Sequence, residues 1–212
     1  MATEKLPLFP LNLVVFPQEK LNLHIFEPRY RQLVGDCLQA DTTFGIPAYV
    51  DGKVQEFGTE VYIKDVINKY DDGRLDIVTR GMRILKMHTF ENPLGAKLYA
   101  GGEVSFIEEP EDDASNADKI LMIETAARLF ELLNVQVPLS VEEDFLSWKV
   151  GHKIGLSLSQ EYYLLALTSE KQRIKFINEH MSRSIPIIRE AERTRERIKM
   201  NGHFKHMDPL DF

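Results

Sequence analysis

Apolar residues in the first hundred positions fall in short runs cut by proline, glycine and acidic turn residues. The runs at 6–9, 13–16 and 21–26 are punctuated by Pro7, Pro10 and Pro17. Leu21-Asn-Leu-His-Ile alternates apolar with polar residues, the period of a half-buried strand. Further strands are expected at 44–50, 59–70, 75–79, 82–90 and 97–107. Pro28 opens a predicted helix to about Gln39, because a first-turn proline gives up an N–H that has no helical partner there. Asp72-Gly73 and Asp51-Gly52 are hairpin signals, since glycine accepts the positive φ of a tight turn. Many short strands joined by turn residues predict a closed or nearly closed β-structure, which leaves few edges open to stray pairing.

The pattern then changes period. Ile120, Ile123, Ala127 and Phe130 recur at helical spacing, as do Val141, Phe145 and Trp148, and later Ile174, Ile177 and Met181. Three helix starts carry the capping-box pattern: Ser140-x-x-Glu143, Ser157-x-x-Gln160 and Ser169-x-x-Gln172. Pro186 is expected to break or kink the last helix near residues 184–185. Between the two halves lies Glu108-Glu-Pro-Glu-Asp-Asp-Ala-Ser-Asn116, read as a solvated linker. The expected organisation is α+β: a β-rich part at 1–110, then a helical bundle at 111–212 with a long terminal helix.

Charge narrows the partners. The 212 residues carry a net charge of -7, and both halves are acidic, with 12 Lys+Arg against 16 Asp+Glu in 1–110 and 14 against 17 in 111–212. Nucleic acid binding usually needs a concentrated positive face, so it is disfavoured as the main role. Cys37 is the only cysteine and cannot form an internal disulfide. The first residues lack the apolar run of a signal peptide, and no run approaches the roughly 20 apolar residues that span a bilayer. A cytoplasmic protein with no membrane contact is the expectation.

Two stretches carry a family resemblance. Leu6-Pro-Leu-Phe-Pro-Leu-Asn-Leu-Val-Val-Phe-Pro17, followed by Leu21-x-Leu-His-Ile-Phe-Glu-Pro-Arg-Tyr-Arg31, closely resembles the opening of the Lon protease amino-terminal domain. Gly58-Thr-x-Val61, Asp71-Asp-Gly-Arg-Leu75 and Gly81-x-Arg83 fit the same family. The resemblance covers roughly residues 5–200 and is most specific at 6–31 and 58–83. It implies a PUA-like pseudobarrel followed by a small helical bundle, a unit that in Lon takes part in substrate recognition and assembly. Read physically, the prolines of the motif bound short strands, and Phe26 and Tyr30 can pack the helix against the barrel.

The catalytic parts of a full Lon protease have no counterpart in these residues. Gly52-Lys53 is followed by Val54, and Pro47 stands where a phosphate-binding loop requires its first glycine. Gly155-x-Ser157-x-Ser159 lacks the second glycine of a nucleophile elbow, so Ser157 reads as a helix cap. His203-Phe-Lys-His206 could clip a metal but sits in a predicted mobile tail. Cys37 has no basic neighbour in sequence that would activate its thiol. Asp112-Asp113 and Glu142-Glu143-Asp144 read as solvated or helix-dipole carboxylates. No catalytic residue, metal ligand or cofactor is expected, and the chain is read as a non-enzyme.

What remains is binding. The leading expectation is a module that captures unfolded or extended polypeptide in protein quality control, working with a protease or chaperone. Phe9, Phe16, Phe26, Tyr30, Phe44 and Tyr49 are the candidate lining residues. Arg189, Arg193 and Arg197 fall at i, i+4 and i+8 and line one helix face, a candidate contact for an acidic partner. The alternative is an RNA-binding PUA-like module, and a small-molecule pocket is a third reading.

Overall fold

The computed structural model describes residues 3–108 and 112–203. Six strands, β1 (Glu4–Leu8), β2 (Lys20–Ile25), β3 (Phe44–Val50), β4 (Lys53–Lys69), β5 (Leu75–Met87) and β6 (Ala100–Ile107), precede most of the helices. The helix α1 (Pro28–Ala40) intervenes after β2. The chain then continues through α2 (Asn116–Leu133), α3 (Leu146–Gly151), α4 (Leu158–Ala166) and α5 (Glu170–His203). The sheet order is β2-β5-β4-β3-β1-β6, and β6 pairs back onto β5, so five strands close into a barrel and β2 stays outside the closure. β1 is parallel to β3 through Leu8 and Gly45; the other named pairings are antiparallel.

Both hairpin signals form turns. Asp51 (φ 51°) and Gly52 (φ 77°) make the left-handed pair that joins β3 to β4, and Gly73 (φ 84°) closes the β4–β5 turn. β4 is 17 residues long and β5 13, with register shifts along their ladder, so the hairpin outreaches the barrel. Its far half pairs with β2 and makes a three-stranded outer sheet. Leu33, Val34 and Cys37 of α1 pack with Ile25, Val61 and Ile77 under that sheet.

Several expectations are corrected. Residues 13–16 form no strand; they connect β1 to β2 with Val14, Val15 and Phe16 buried. The apolar run there reflects division between two cores: Val15 enters the core under α1, whereas Val14 and Phe16 enter the bundle core. The two runs at 75–79 and 82–90 are one strand, β5. Ser140 does receive the amide of Glu142 and donates its own to Glu143, but these bonds close a turn, and α3 starts only at Leu146. Ser157 and Gln160 form a reciprocal cap on α4; an unforeseen one, Ser115 with Asp118, starts α2. α5 runs through Pro186 without a break. Pro186 and Ser182 are both exposed, so the carbonyl left without its helical donor faces water.

The acidic boundary stretch is not simply solvated, although residues 109–111 lie outside the described part. Asp112 is nearly buried, 2.8 Å from the Lys119 ammonium, and accepts the amide of Phe145 at 3.2 Å. Burial alone would raise its pKa, but Lys119 and the amides of Ala114 and Phe145 hold it below the usual carboxylate range. Asp113 accepts from the Ser169 hydroxyl (2.6 Å) and the Lys171 amide (2.9 Å) at the start of α5. Of the His203–His206 pair, His206 falls outside the described residues.

One core joins barrel and bundle. Phe16, Val50 and Ile84 from the β-rich part pack with Met122, Leu129 and Trp148. His152 reinforces the seam: it stacks on Phe16 (4.3 Å between ring centres) and bonds Glu19 at 3.0 Å and Glu161 at 2.8 Å. Burial disfavours its charge, yet the bonds to Glu161 and Glu19 outweigh burial and raise its pKa to about 9, from 6.5. A His raised on folding stabilises fully below its unfolded pKa, and that contribution is lost as pH rises through the folded value. The melting temperature should therefore fall between about pH 7 and pH 10 by more in the native chain than in His152→Gln, as read by circular dichroism at several pH values.

Candidate functional site

The outer sheet presents its second face to solvent. Along β2, Leu21, Leu23 and Ile25 turn toward α1, so Lys20, Asn22 and His24 project the other way. Opposite them on β5 stand Arg80, Val78 and Asp76, and next to Asp76 on β4 is Asn68. All of these except Arg80 line a shallow groove of about 460 Å³ together with Ile67. Phe26, just past β2, is 60% exposed, Ile67 60% and Tyr70 41%, an unusual concentration of apolar surface at one hairpin end.

Asp76 organises this end of the face. Its carboxylate accepts from Asn68 Nδ2 (2.9 Å), His24 Nδ1 (2.6 Å) and the Tyr70 hydroxyl (2.7 Å). Those three bonds hold its pKa far below the usual carboxylate range, so it stays ionised. The bond to Asp76 likewise raises the Tyr70 pKa and keeps its phenol protonated. His24 is stacked near Phe26 (6.1 Å) and meets Tyr70 edge-on (6.0 Å). The Arg74 guanidinium covers the Tyr70 ring at 5.1 Å. Polar bonds thus fix the rings in place while their apolar surfaces stay open. A His–Asp pair suggests acid–base chemistry, but no Ser, Thr or Cys lines the groove to serve as nucleophile. The arrangement is suited to holding a ligand.

The structure separates the residues singled out from sequence. Phe9, Phe16 and Phe44 lie inside the cores, and Tyr30 is nearly buried, stacked on Phe9 at 3.7 Å. Tyr49 is exposed on β3, outside the groove. Arg189, Arg193 and Arg197 are exposed on α5. Phe26 alone of the nine belongs to the aromatic cluster. His24, Ile67, Asn68, Tyr70 and Asp76 are not among the site residues that the sequence points to. Tyr70 beside Asp72-Gly73 could have been placed at a hairpin end, but the link from His24 to Asp76 needs the β2–β5 pairing across 52 residues.

Other potential centres are structural. Cys37 is buried, its thiol pushed up by desolvation, and lies 3.8 Å from the Thr43 carbonyl. Among the described residues, no group of three or more His, Cys, Asp or Glu side chains could hold a metal ion. Among the described residues, no helix is long and apolar enough to cross a membrane.

The ATP-dependent protease La (LON) substrate-binding domain family matches residues 5–183. The chain belongs to this family. The Lon amino-terminal domain protein from Xanthomonas campestris is similar at 28% identity, with a TM-score of 0.65 over 81% of this chain and 95% of that one. The amino-terminal domain of Mycobacterium avium complex Lon protease shares the fold at 18% identity, with a TM-score of 0.62 over 84% of this chain and 98% of that one. No curated protein matches. Membership in the Lon substrate-binding family supports a substrate-recognition module, and it agrees with the barrel-plus-helices fold described above.

Proposed function

We propose that this member of the Lon substrate-binding family is a non-catalytic module that captures extended or unfolded polypeptide on the open face of its outer sheet, in protein quality control alongside a protease or chaperone. The observation that carries the reading is the exposed cluster of Phe26, Ile67 and Tyr70 around the fixed His24–Asp76 pair. Apolar rings held rigidly at a surface lose little entropy when a partner covers them. The groove is shallow and open, which suits a chain more than a small enclosed ligand.

Fluorescence polarisation with a labelled, permanently unfolded protein tests this. Binding by the native chain is expected, and Phe26→Ala with Ile67→Ala should weaken it about tenfold or more, since interface anchors often contribute 1–2 kcal/mol each. Retained affinity in that double variant would remove this face from the reading. RNA binding is the second reading, favoured only by the exposed Arg189, Arg193 and Arg197 on α5 and opposed by the net charge of -7. A salt-sensitive gel shift with structured RNA, absent binding to unfolded protein, would put it first.

A further inference from the structure

Among the described residues β2 pairs with β5 alone, so its other side is a sheet edge. The ladder decides which backbone groups that edge offers. The Gly81 amide donates to the Glu19 carbonyl, and the Thr79 hydroxyl donates to the Leu21 carbonyl. The Glu19 and Leu21 carbonyls therefore point at β5, and in an antiparallel pair the bonding residues alternate. By that alternation Leu21, Leu23 and Ile25 are the residues whose backbone groups face their register partners Thr79, Ile77 and Leu75. Lys20, Asn22 and His24 direct their N–H and C=O groups outward, toward the free edge. Their side chains are exposed on the groove face. Pro17 and Pro28 bound the segment.

The same register leaves an unneutralised charge. Lys20 and Arg80 stand directly opposite each other, both exposed, and neither has an ion pair among the described residues. Because they occupy a non-bonded pair, their side chains are close, and like charges in that position oppose pairing. Nearby carboxylates are engaged elsewhere: Glu19 with His152 and the Phe16 amide, Asp76 with its three donors. Asp65 lies beside Val78 on β4, two strands in from the edge. At the other end of the edge, about 20 Å away at the rise of a strand, Phe26 is exposed.

We propose that an extended polypeptide segment joins the outer sheet as an added strand on the free edge of β2, with a carboxylate at Lys20 and Arg80 and a large apolar side chain against Phe26. It rests on the polypeptide-binding reading above and specifies how that binding is made. The outward amides and carbonyls of Asn22 and His24 supply the ladder. Added residues paired with them lie on the groove face, and the alternate residues lie beside Leu21 and Leu23, which are half-buried. The recognised chain is thus acidic at one point and apolar six residues away, the spacing from Lys20 to Phe26.

The test uses the full chain and a labelled peptide with Glu and Phe six residues apart. Asn22→Pro removes an outward N–H while sparing the bonds to β5, and it should weaken binding about tenfold or more beyond any effect of Asn22→Ala, which keeps that N–H. Lys20→Glu with Arg80→Glu should weaken the acidic peptide to a similar degree, about tenfold, and reverse the salt dependence of its binding, because added salt then screens a repulsion. Methylating alternate peptide amides should block binding in one phase and be tolerated in the other. If Asn22→Pro fails to fold, the methylated peptides with the native chain decide. Equal affinity of both methylation phases, with unfolded protein still bound, would overturn the added strand and leave polypeptide binding standing. Failure of every unfolded protein to bind would instead remove the proposed function itself.

Discussion

Arg173→Ala should lose about 3–5 kcal/mol of stability at neutral pH, the usual cost of leaving one buried charge without its partner. Arg173 and Glu170 are both fully buried and bond at 2.9 Å. Glu170 also receives the Ser147 amide (2.9 Å) and hydroxyl (2.6 Å). The guanidinium lies 4.0 Å over the Trp148 ring and donates to the Leu167 carbonyl at 2.8 Å. This cluster ties α3, the end of α4 and the start of α5 together. Burial, opposed by Ser147 and Arg173, raises the Glu170 pKa from its ordinary 4.5. A carboxylate raised on folding makes the folded state bind protons more readily than the unfolded chain, so its ionisation lowers stability as pH rises. Without Arg173 the raise grows, so the deficit of the variant should shrink in mild acid and widen toward neutral pH. Urea titrations of the native chain and Arg173→Ala at both pH values measure it. Arg173→Met combined with Glu170→Leu should recover most of the loss, because no lone charge remains. A pH-independent deficit would show that the loss comes from packing against Trp148 instead.

Phe16→Ala should cost about 3–5 kcal/mol, the range for truncating a buried aromatic ring. Phe16 has no exposure, stacks on Trp148 with centres 5.1 Å apart, and touches His152 at 4.3 Å. Gly151 makes room for it: a Cβ there would come within 2.6 Å of the Phe16 ring. Because the ring belongs to the β-rich half but fills the bundle core, its loss should uncouple the two. Tryptophan fluorescence follows Trp148, the single tryptophan, and far-ultraviolet circular dichroism follows the whole chain. Their unfolding midpoints should coincide in the native chain and separate in Phe16→Ala. Coincident midpoints in the variant would mean that the remaining contacts suffice to hold the halves together.

The legible parts of this protein were those in which a local rule decides. α1 begins at the proline that marked it, and β3 occupies the residues its apolar run indicated. The Asp51-Gly52 and Asp72-Gly73 turns form because φ preference is a property of one or two residues. The Ser157–Gln160 cap forms for the same reason, needing only one helical turn. The same local signal at Ser140 closed a turn without a helix, since the chain there is held by Asp112, Lys119 and Lys149 contacts from other segments.

The proposed binding face was much less legible. Aromatic residues were its sequence signal, yet an aromatic ring stabilises a core as readily as it serves a surface. Phe9, Phe16 and Phe44 went inside, and Phe26 stayed out, although all four sit in similar apolar surroundings along the chain. The groove itself joins β2 to the far half of the β4–β5 hairpin.

Alternation, turn residues, prolines and helical periodicity were enough to determine an α+β chain, and the opening motif was enough to point to its family. Only the tertiary structure decided that β2 remains outside the barrel, that Asp76 gathers His24, Asn68 and Tyr70, and that Arg173 is buried with Glu170. The physical reason is range. Turn and cap energies depend on neighbours in sequence, whereas burial and pairing depend on strand register, and register is settled jointly by residues far apart along the chain.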